Sequence, residues 1–213
     1  MVAAGELFGR KIDVQPDDFV IAADAGWRYC DEQGIRYDLL VGDFDSAPRP
    51  ETQAEIERLP VHKDVTDTWA ALDTAVRRGF DDIRLYAGAG GRFDHTLANV
   101  QMLAYHAARG RRVIMYCDKL AVTALHNGEM TLLKPGTNAA PAGTPEDEPR
   151  LAVFAFGGDA KDVCVRGALY TLEHAVLTPE FPLGVSNFFA SDADAAELSV
   201  GDGTLIVMWQ DVP

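Results

Sequence analysis

Up to about residue 125, short uninterrupted apolar runs alternate with amphipathic stretches, and this alternation constrains the fold more than any other feature of the chain. The candidate strands are Phe19–Ala23, Leu39–Val41, Ile83–Ala87 and Val113–Cys117. A weaker one is Leu59–His62, where Pro60 marks a sheet edge or a strand start. Over Asp67–Arg78, Trp69, Leu72 and Val76 recur at helical spacing, with Thr66 or Asp64 as cap and Gly79 as stop. Over Asp94–Arg109, Leu97, Val100, Leu103, Ala104 and Ala107 form an apolar stripe that Gly110 ends. Continuous apolar strands separated by helices predict βαβ units and a parallel sheet. The N-terminal stretch Met1–Lys11 gives no strand signal.

Beyond residue 125 the helical periodicity disappears. Lys134–Arg150 is rich in proline, glycine and acid and reads as a long loop. Strand-like runs follow at Leu151–Phe156, Val163–Val165 and Val185–Phe189. Glu197–Val200 and Thr204–Trp209 flank Gly201-Asp202-Gly203, which reads as a hairpin. The expected architecture is an α/β N-terminal domain with a mostly parallel sheet, residues 1–125, followed by a small all-β sandwich domain, residues 126–213.

Charge narrows the function. Nineteen Lys and Arg against 33 Asp and Glu give −14 over 213 residues. So acidic a chain is a poor partner for nucleic acid or an anionic membrane, both of which need clustered cations. A phosphate-bearing ligand would need carboxylate-held metal to attract it. No apolar run approaches the ~18 residues of a membrane span, and no secretory signal is visible, so a cytoplasmic protein is expected. Cys30, Cys117 and Cys164 form no CxxC pair, and the five histidines are dispersed, which argues against zinc and soft-metal chemistry.

Chemistry gathers in four predicted β-to-α loops, each of which carries aspartate. They are Asp24-Ala25-Gly26, Gly42-Asp43-Phe44-Asp45-Ser46, Lys63-Asp64-Val65-Thr66-Asp67 and Gly88-Ala89-Gly90-Gly91-Arg92-Phe93-Asp94-His95. In an open parallel sheet such loops meet outside the carboxyl ends of the strands, where ligands bind. Asp43 and Asp45 are spaced to face one ion, with Asp67 as a third ligand, and a hard divalent cation such as Mg²⁺ would relieve their repulsion. The alternative is a plain turn with the two aspartates as caps. Gly88, Gly90 and Gly91 free the backbone N–H groups to meet an anion, at the start of a helix and beside the Arg92 fork. The alternative there is a plain turn with Asp94 as N-cap. His95 either donates to phosphate or simply sits in the first helical turn. P-loop, GxGxxG, GxSxG and HExxH patterns are absent.

On these residues the sequence resembles the thiamine pyrophosphokinase (thiamine diphosphokinase) family. Asp24-Ala25-Gly26 stands at its DGG-like turn, with Ala25 in place of glycine. Gly42–Ser46 matches its GDFDS, Lys63–Asp67 its KDxTD, and GAGGRFDHTLAN over Gly88–Asn99 its GxxGGRxDHxLAN. Gly167–Leu172, Gly184-Val185-Ser186-Asn187 and Gly203–Val207 extend the likeness into the β half.

The resemblance implies transfer of diphosphate from ATP to the thiamine hydroxyl by a homodimer, with sites near the interface. It implies Mg²⁺ held by Asp43, Asp45 and Asp67, and catalytic positions at Asp43, Asp45, Asp67, Arg92 and Asp94. ATP contacts would come from Asp24, Lys63, Thr66, Gly88, Gly90, Gly91, Arg92 and His95. Tyr170, Ser186 and Asn187 would form the thiamine pocket, Tyr170 by cation–π attraction to the thiazolium ring. Alternatives are a diphosphokinase for another hydroxymethyl heterocycle such as a pterin, a Mg²⁺-dependent phosphohydrolase with Asp43 as nucleophile, and a non-catalytic ligand sensor.

Overall fold

The computed structural model describes residues 1–44, 50–136 and 148–211. The chain divides into two compact units. The first comprises residues 1–102 and 113–118, the second residues 103–112 and the chain from Lys119 onward.

In the first unit β1 (Ile21–Ala23), β2 (Leu39–Gly42) and β3 (Glu55–Arg58) form a parallel sheet in that order. β1 and β2 are buried throughout, as their unbroken apolar sequences require. β3 is not the expected Leu59–His62, which lies in the loop that follows; the strand is the polar Glu55-Ile56-Glu57-Arg58. Its charges suit an edge strand, because they pair with the covering helix α2 (Asp67–Arg77). Glu57 meets the Thr74 hydroxyl at 3.0 Å and Arg77 at 3.0 Å, and Glu55 meets Arg78. α2 begins where its sequence predicts: the Thr66 hydroxyl accepts from the Trp69 N–H at 3.1 Å. Ala71, Leu72 and Ala75 are buried on its inner face.

The N-terminal stretch, unrecognised in the sequence, completes the sheet. The Val2 N–H donates to the Ile21 carbonyl and the Val2 carbonyl accepts from Ala23, each at 2.8 Å. On its other side, the Ala3 N–H donates to Tyr86 and the Gly5 N–H to Ala87. Val2 therefore bridges β1 and β4 (Asp82–Tyr86) in parallel with both, and β5 (Arg112–Tyr116) lies beside β4. The spatial order is β3, β2, β1, the Met1–Glu6 segment, β4, β5, so the order reverses between that segment and β4. A short helix, α1 (Trp27–Glu32), follows β1, and α3 (Phe93–Ala107) follows β4 and ends slightly before the expected Arg109. Val2, Val20, Ala22, Cys30, Leu40, Tyr86 and Ala87 share one core.

The second unit is antiparallel. Its spine is β11 (Ala195–Gln210), paired along its length with β6 (Leu120–Leu133). The expected hairpin at Gly201-Asp202-Gly203 is a bulge inside one long strand. His126 opposes Thr204 and Gly128 opposes Val200, so three residues of β11 face the single Asn127. The Asn127 side chain accepts from the Gly203 N–H at 2.8 Å, and Gly203 has φ +116°, a conformation glycine adopts without strain. Past the bulge β11 pairs with β7 (Arg150–Ala155); before and within it, with β8 (Ala160–Arg166). β9 (Leu172–Leu177) pairs with β8, and β10 (Asn187–Phe188) with β7. Side chains from both halves of β11, among them Leu198, Val200, Leu205 and Val207, share one core with Leu151, Val163 and Phe189. Lys134 and Glu148 pair at 2.7 Å, one on each side of the undescribed residues 137–147.

Candidate active site

A cleft of about 630 Å³ opens at the carboxyl edge of the parallel sheet, where the strand order reverses. Each contribution comes from the end of a strand or the start of the helix after it. Ala3–Glu6 come from the N-terminal segment, Asp24 follows β1, Asp43 follows β2, and Thr66, Asp67 and Thr68 open α2. Ala87, Gly88 and Gly90–Arg92 follow β4, while His95 and Asn99 project from α3. The aspartates from three of the four loops thus meet with the glycine-rich turn. Three strand ends are turned by left-handed residues: Asp24 at φ 49°, Phe44 at φ 57° and Ala87 at φ 53°. Such values are uncommon outside glycine, and strain of this kind gathers at functional sites.

Two of the lining aspartates belong to a charged triad whose third member, Lys63, does not itself line the cleft. Lys63 Nζ donates to Asp43 Oδ2 at 2.8 Å and lies 3.2 Å from Asp67 Oδ1. The second contact has ion-pair distance without hydrogen-bond alignment, and the buried Asp67 Oδ1 accepts no hydrogen bond. Burial alone would lower the Lys63 pKa, but the hydrogen bond to Asp43 and the charges of Asp43 and Asp67 outweigh it and hold the ammonium above its ordinary value. Asp45 falls among the undescribed residues 45–49.

The glycine-rich turn is anchored by residues outside the expected set of site residues. Glu6 Oε1 accepts from the Gly91 N–H at 2.7 Å, so that amide is engaged within the protein. The buried Asn99 side chain donates to the Gly88 carbonyl at 2.6 Å and ties α3 to the end of β4. Tyr29 Oη donates to the Gly5 carbonyl at 2.8 Å. Arg92 and Asp94 form a two-point pair with each other, Nη2 to Oδ2 at 2.6 Å and Nε to Oδ1 at 3.2 Å. That hydrogen-bonded pairing holds the Asp94 carboxyl below the usual range. Arg92 lines the cleft; Asp94, two-thirds exposed, does not.

The remaining expected site residues gather in the second unit. Tyr170 is 62% exposed. Asn187 is buried, and its side chain clamps the backbone of Tyr170: Oδ1 accepts from the Tyr170 N–H at 2.9 Å and Nδ2 donates to the Tyr170 carbonyl at 2.7 Å. Ser186 has φ 58°. Leu169, Phe181, Leu183 and Val185, close to these residues in sequence, are also exposed apolar side chains.

Residues 14–115 match the family described as "Thiamin pyrophosphokinase, catalytic domain". A thiamine pyrophosphokinase of Bacillus subtilis (strain 168) is 28% identical over 173 residues, which make up 78% of this chain and 76% of that protein. Over these residues the chain is similar to the thiamine pyrophosphokinase family. Solved thiamine pyrophosphokinase structures share the fold. That of B. subtilis superposes with a TM-score of 0.78 at 22% identity, over 94% of this chain and 91% of the other. A thiamin pyrophosphokinase family protein of Enterococcus faecalis gives 0.80 at 23% identity, over 100% and 98%. No helix among the described residues is long and apolar enough to cross a membrane.

Proposed function

We propose that the chain transfers the diphosphoryl group of ATP to the hydroxyethyl oxygen of thiamine, giving thiamine diphosphate and AMP. The thiamine oxygen forms a bond to the β-phosphorus, the bridge between the α- and β-phosphoryl groups breaks, and AMP carries away the electron pair. The observation that carries this reading is the convergence of Asp24, Asp43, Asp67, the Gly88–Gly91 turn and Arg92 on one cleft, in the segment that matches the family's catalytic domain.

Phosphoryl-type transfer demands positioning and charge neutralisation more than covalent help. The start of α2, whose Thr66, Asp67 and Thr68 line the cleft, brings the positive end of the helix dipole to it, a site suited to phosphate oxygens. Arg92, oriented by Asp94, supplies a guanidinium at the glycine-rich turn, and Lys63 supplies an ammonium that pairs with the lining residues Asp43 and Asp67. The donor set also fits a hard divalent ion. The buried, unbonded Asp67 Oδ1 lies close to Asp43, with a cation already between them. Asp43 and Asp67, with Asp45 in the same reading, would hold Mg²⁺, which would neutralise charge on the triphosphate.

The second unit, read as a β-sandwich, would supply the thiamine pocket and the dimer contact. Tyr170 presents an aromatic face to a cationic ring, worth roughly 0.5–2 kcal/mol, and Ser186 lies beside Asn187, which fixes Tyr170. The exposed apolar side chains around Tyr170 suit burial against a second copy. Three free thiols accord with a reducing cytoplasm.

The test is product analysis of ATP plus thiamine, with and without Mg²⁺. AMP and thiamine diphosphate in equal amounts, only with metal, are expected. ADP with thiamine monophosphate overturns the reading, as does orthophosphate released without an acceptor, or turnover of a pterin alcohol in place of thiamine.

A further inference from the structure

A second cluster of chemistry-bearing groups lies outside the cleft, on the β8–β9 pair of the second unit. A carboxylate oxygen of Asp162, the sulfur of Cys164 and an imidazole nitrogen of His174 all lie within 4.8 Å of one another. His174 Nδ1 and Asp162 Oδ1 are 2.5 Å apart, and the His174 N–H donates to Cys164 Sγ at 3.4 Å.

The backbone is built to bring these three together. Ala160 opposes Leu177 and Val163 opposes Ala175, so β8 advances three residues while β9 advances two. Val165 then opposes Leu172, so β9 advances three while β8 advances two. Each strand thus carries a bulge against the other, and bulges re-aim side chains. Asp162, at φ 55°, lies in the first and His174, at φ 51°, in the second. Gly201 of β11 leaves the necessary room: a Cβ there would come within 2.9 Å of Asp162 Cβ and Oδ2. Val163 and Val165 join the core of the unit, but Cys164 between them does not. Its sulfur also comes within hydrogen-bonding reach of Glu173, whose carboxylate is held by Arg166 at 3.0 and 2.9 Å. The nearby guanidinium is therefore neutralised and does not repel a cation.

One oxygen, one sulfur and one nitrogen donor make a mixed set. Mg²⁺ and Ca²⁺ prefer all-oxygen sites, whereas zinc-class ions take thiolate, imidazole and carboxylate together. We propose that Asp162, Cys164 and His174 bind a divalent transition-metal ion of the zinc class, through three protein ligands with a fourth position left to water. Binding takes the thiolate and releases the thiol proton to solvent. The ion cross-links β8 to β9 at the two bulges, where their register is broken. The connection between those strands carries Tyr170. No CxxC or HExxH pattern announces the site, because its ligands come from two strands whose bulges place them opposite each other.

The experiment titrates the purified full-length chain with Co²⁺, a spectroscopic stand-in for Zn²⁺, in the absence of nucleotide and thiamine. One equivalent should produce a thiolate-to-cobalt charge-transfer band that Zn²⁺ abolishes by displacement, and Cys164→Ser should not show it. Asp162→Asn and His174→Asn alter side chains that are 61% and 74% exposed, so they leave folding intact. Each should weaken binding by at least the roughly tenfold that even an outer-shell partner is worth. Zn²⁺ should also raise the melting temperature of the parent but not of Cys164→Ser. The proposal is overturned if no band forms, if the band persists in Cys164→Ser because Cys30 or Cys117 carries it, or if both exposed-residue variants bind as tightly as the parent. None of these readouts depends on diphosphoryl transfer.

Discussion

Lys63 and Asp43 form a 2.8 Å charged hydrogen bond that joins the loop after β3 to the end of β2, with both side chains largely buried. Asp67 stands on the other side of the same ammonium at 3.2 Å. Two carboxylates this close repel unless a cation lies between them, and in the protein alone that cation is Lys63. Lys63→Met keeps most of the side-chain volume and removes the charge. The metal-free variant should lose about 3 kcal/mol in urea unfolding, the scale of breaking one side of a buried pair. Millimolar Mg²⁺ should restore more stability to the variant than to the parent, since the ion takes the vacated place. Equal Mg²⁺ effects on both would refute metal binding by Asp43 and Asp67. The pH sign follows from the raised Lys63 pKa. The pair's contribution is complete below the ordinary lysine value of 10.5 and is lost as pH rises through the higher folded value. Lys63→Met should lack that alkaline limb.

Gly26 tests whether the N-terminal segment is a true member of the sheet. Its φ of −57° is open to any residue, so alanine brings no backbone strain. A Cβ there would nevertheless lie 2.2 Å from the Val2 carbonyl oxygen. Gly26→Ala should therefore cost about 1–3 kcal/mol through displacement of that segment. Faster amide exchange at Val2, Ala3 and Gly5 than in the parent would locate the damage. Unchanged stability and exchange would mean that the segment does not pack against the turn after β1.

Cys30 is fully buried, and burial pushes its thiol from 9.0 up to about 11. A raised pKa on an acidic group favours the neutral folded form. The associated stability is complete below pH 9 and is lost between pH 9 and 11. At pH 8 iodoacetamide should leave Cys30 unmodified in the native protein and label it in urea, as read by peptide mass spectrometry. Native-state labelling of Cys30 as fast as that of the half-exposed Cys117 would contradict this environment.

The sequence carried the cleft edge of the fold further than it carried the sheets. Asp24, Asp43 and the Gly88–Arg92 turn were legible because each follows an apolar run, and Asp67 because it opens a helix that Thr66 caps. The Met1–Glu6 segment was not, because its strand character comes from hydrogen bonds to β1 and β4 and not from a periodic pattern of its own. Without it the reversal of strand order that sites the cleft is invisible. β3 was hidden by its charges, which pair with α2 instead of facing a core. Gly201-Asp202-Gly203 carries the composition of a turn, but β6 continues past it and makes it a bulge. Glu6 holds the glycine-rich turn through a side-chain contact outside any motif, whereas Asn99 stands at the end of the motif itself, where spacing alone gives no hint of its bond to Gly88.

Tyr170 and Asn187 separate recognition from support. The Tyr170 ring is largely exposed, whereas both polar atoms of the buried Asn187 side chain are committed to the Tyr170 backbone. Tyr170→Ala should therefore leave urea stability within about 0.5 kcal/mol and raise the KM for thiamine, without altering that for ATP. Asn187→Ala removes the partner of the buried Phe188 N–H and of the part-buried Tyr170 N–H and carbonyl and should cost about 1–3 kcal/mol. It should raise the thiamine KM as well, because the ring it orients is no longer fixed. The double variant should show a thiamine KM no worse than Tyr170→Ala alone, since in the proposed function Asn187 would act on thiamine through Tyr170. Additive effects on KM would instead mean that Asn187 meets thiamine directly, which the commitment of both its polar atoms to backbone groups argues against.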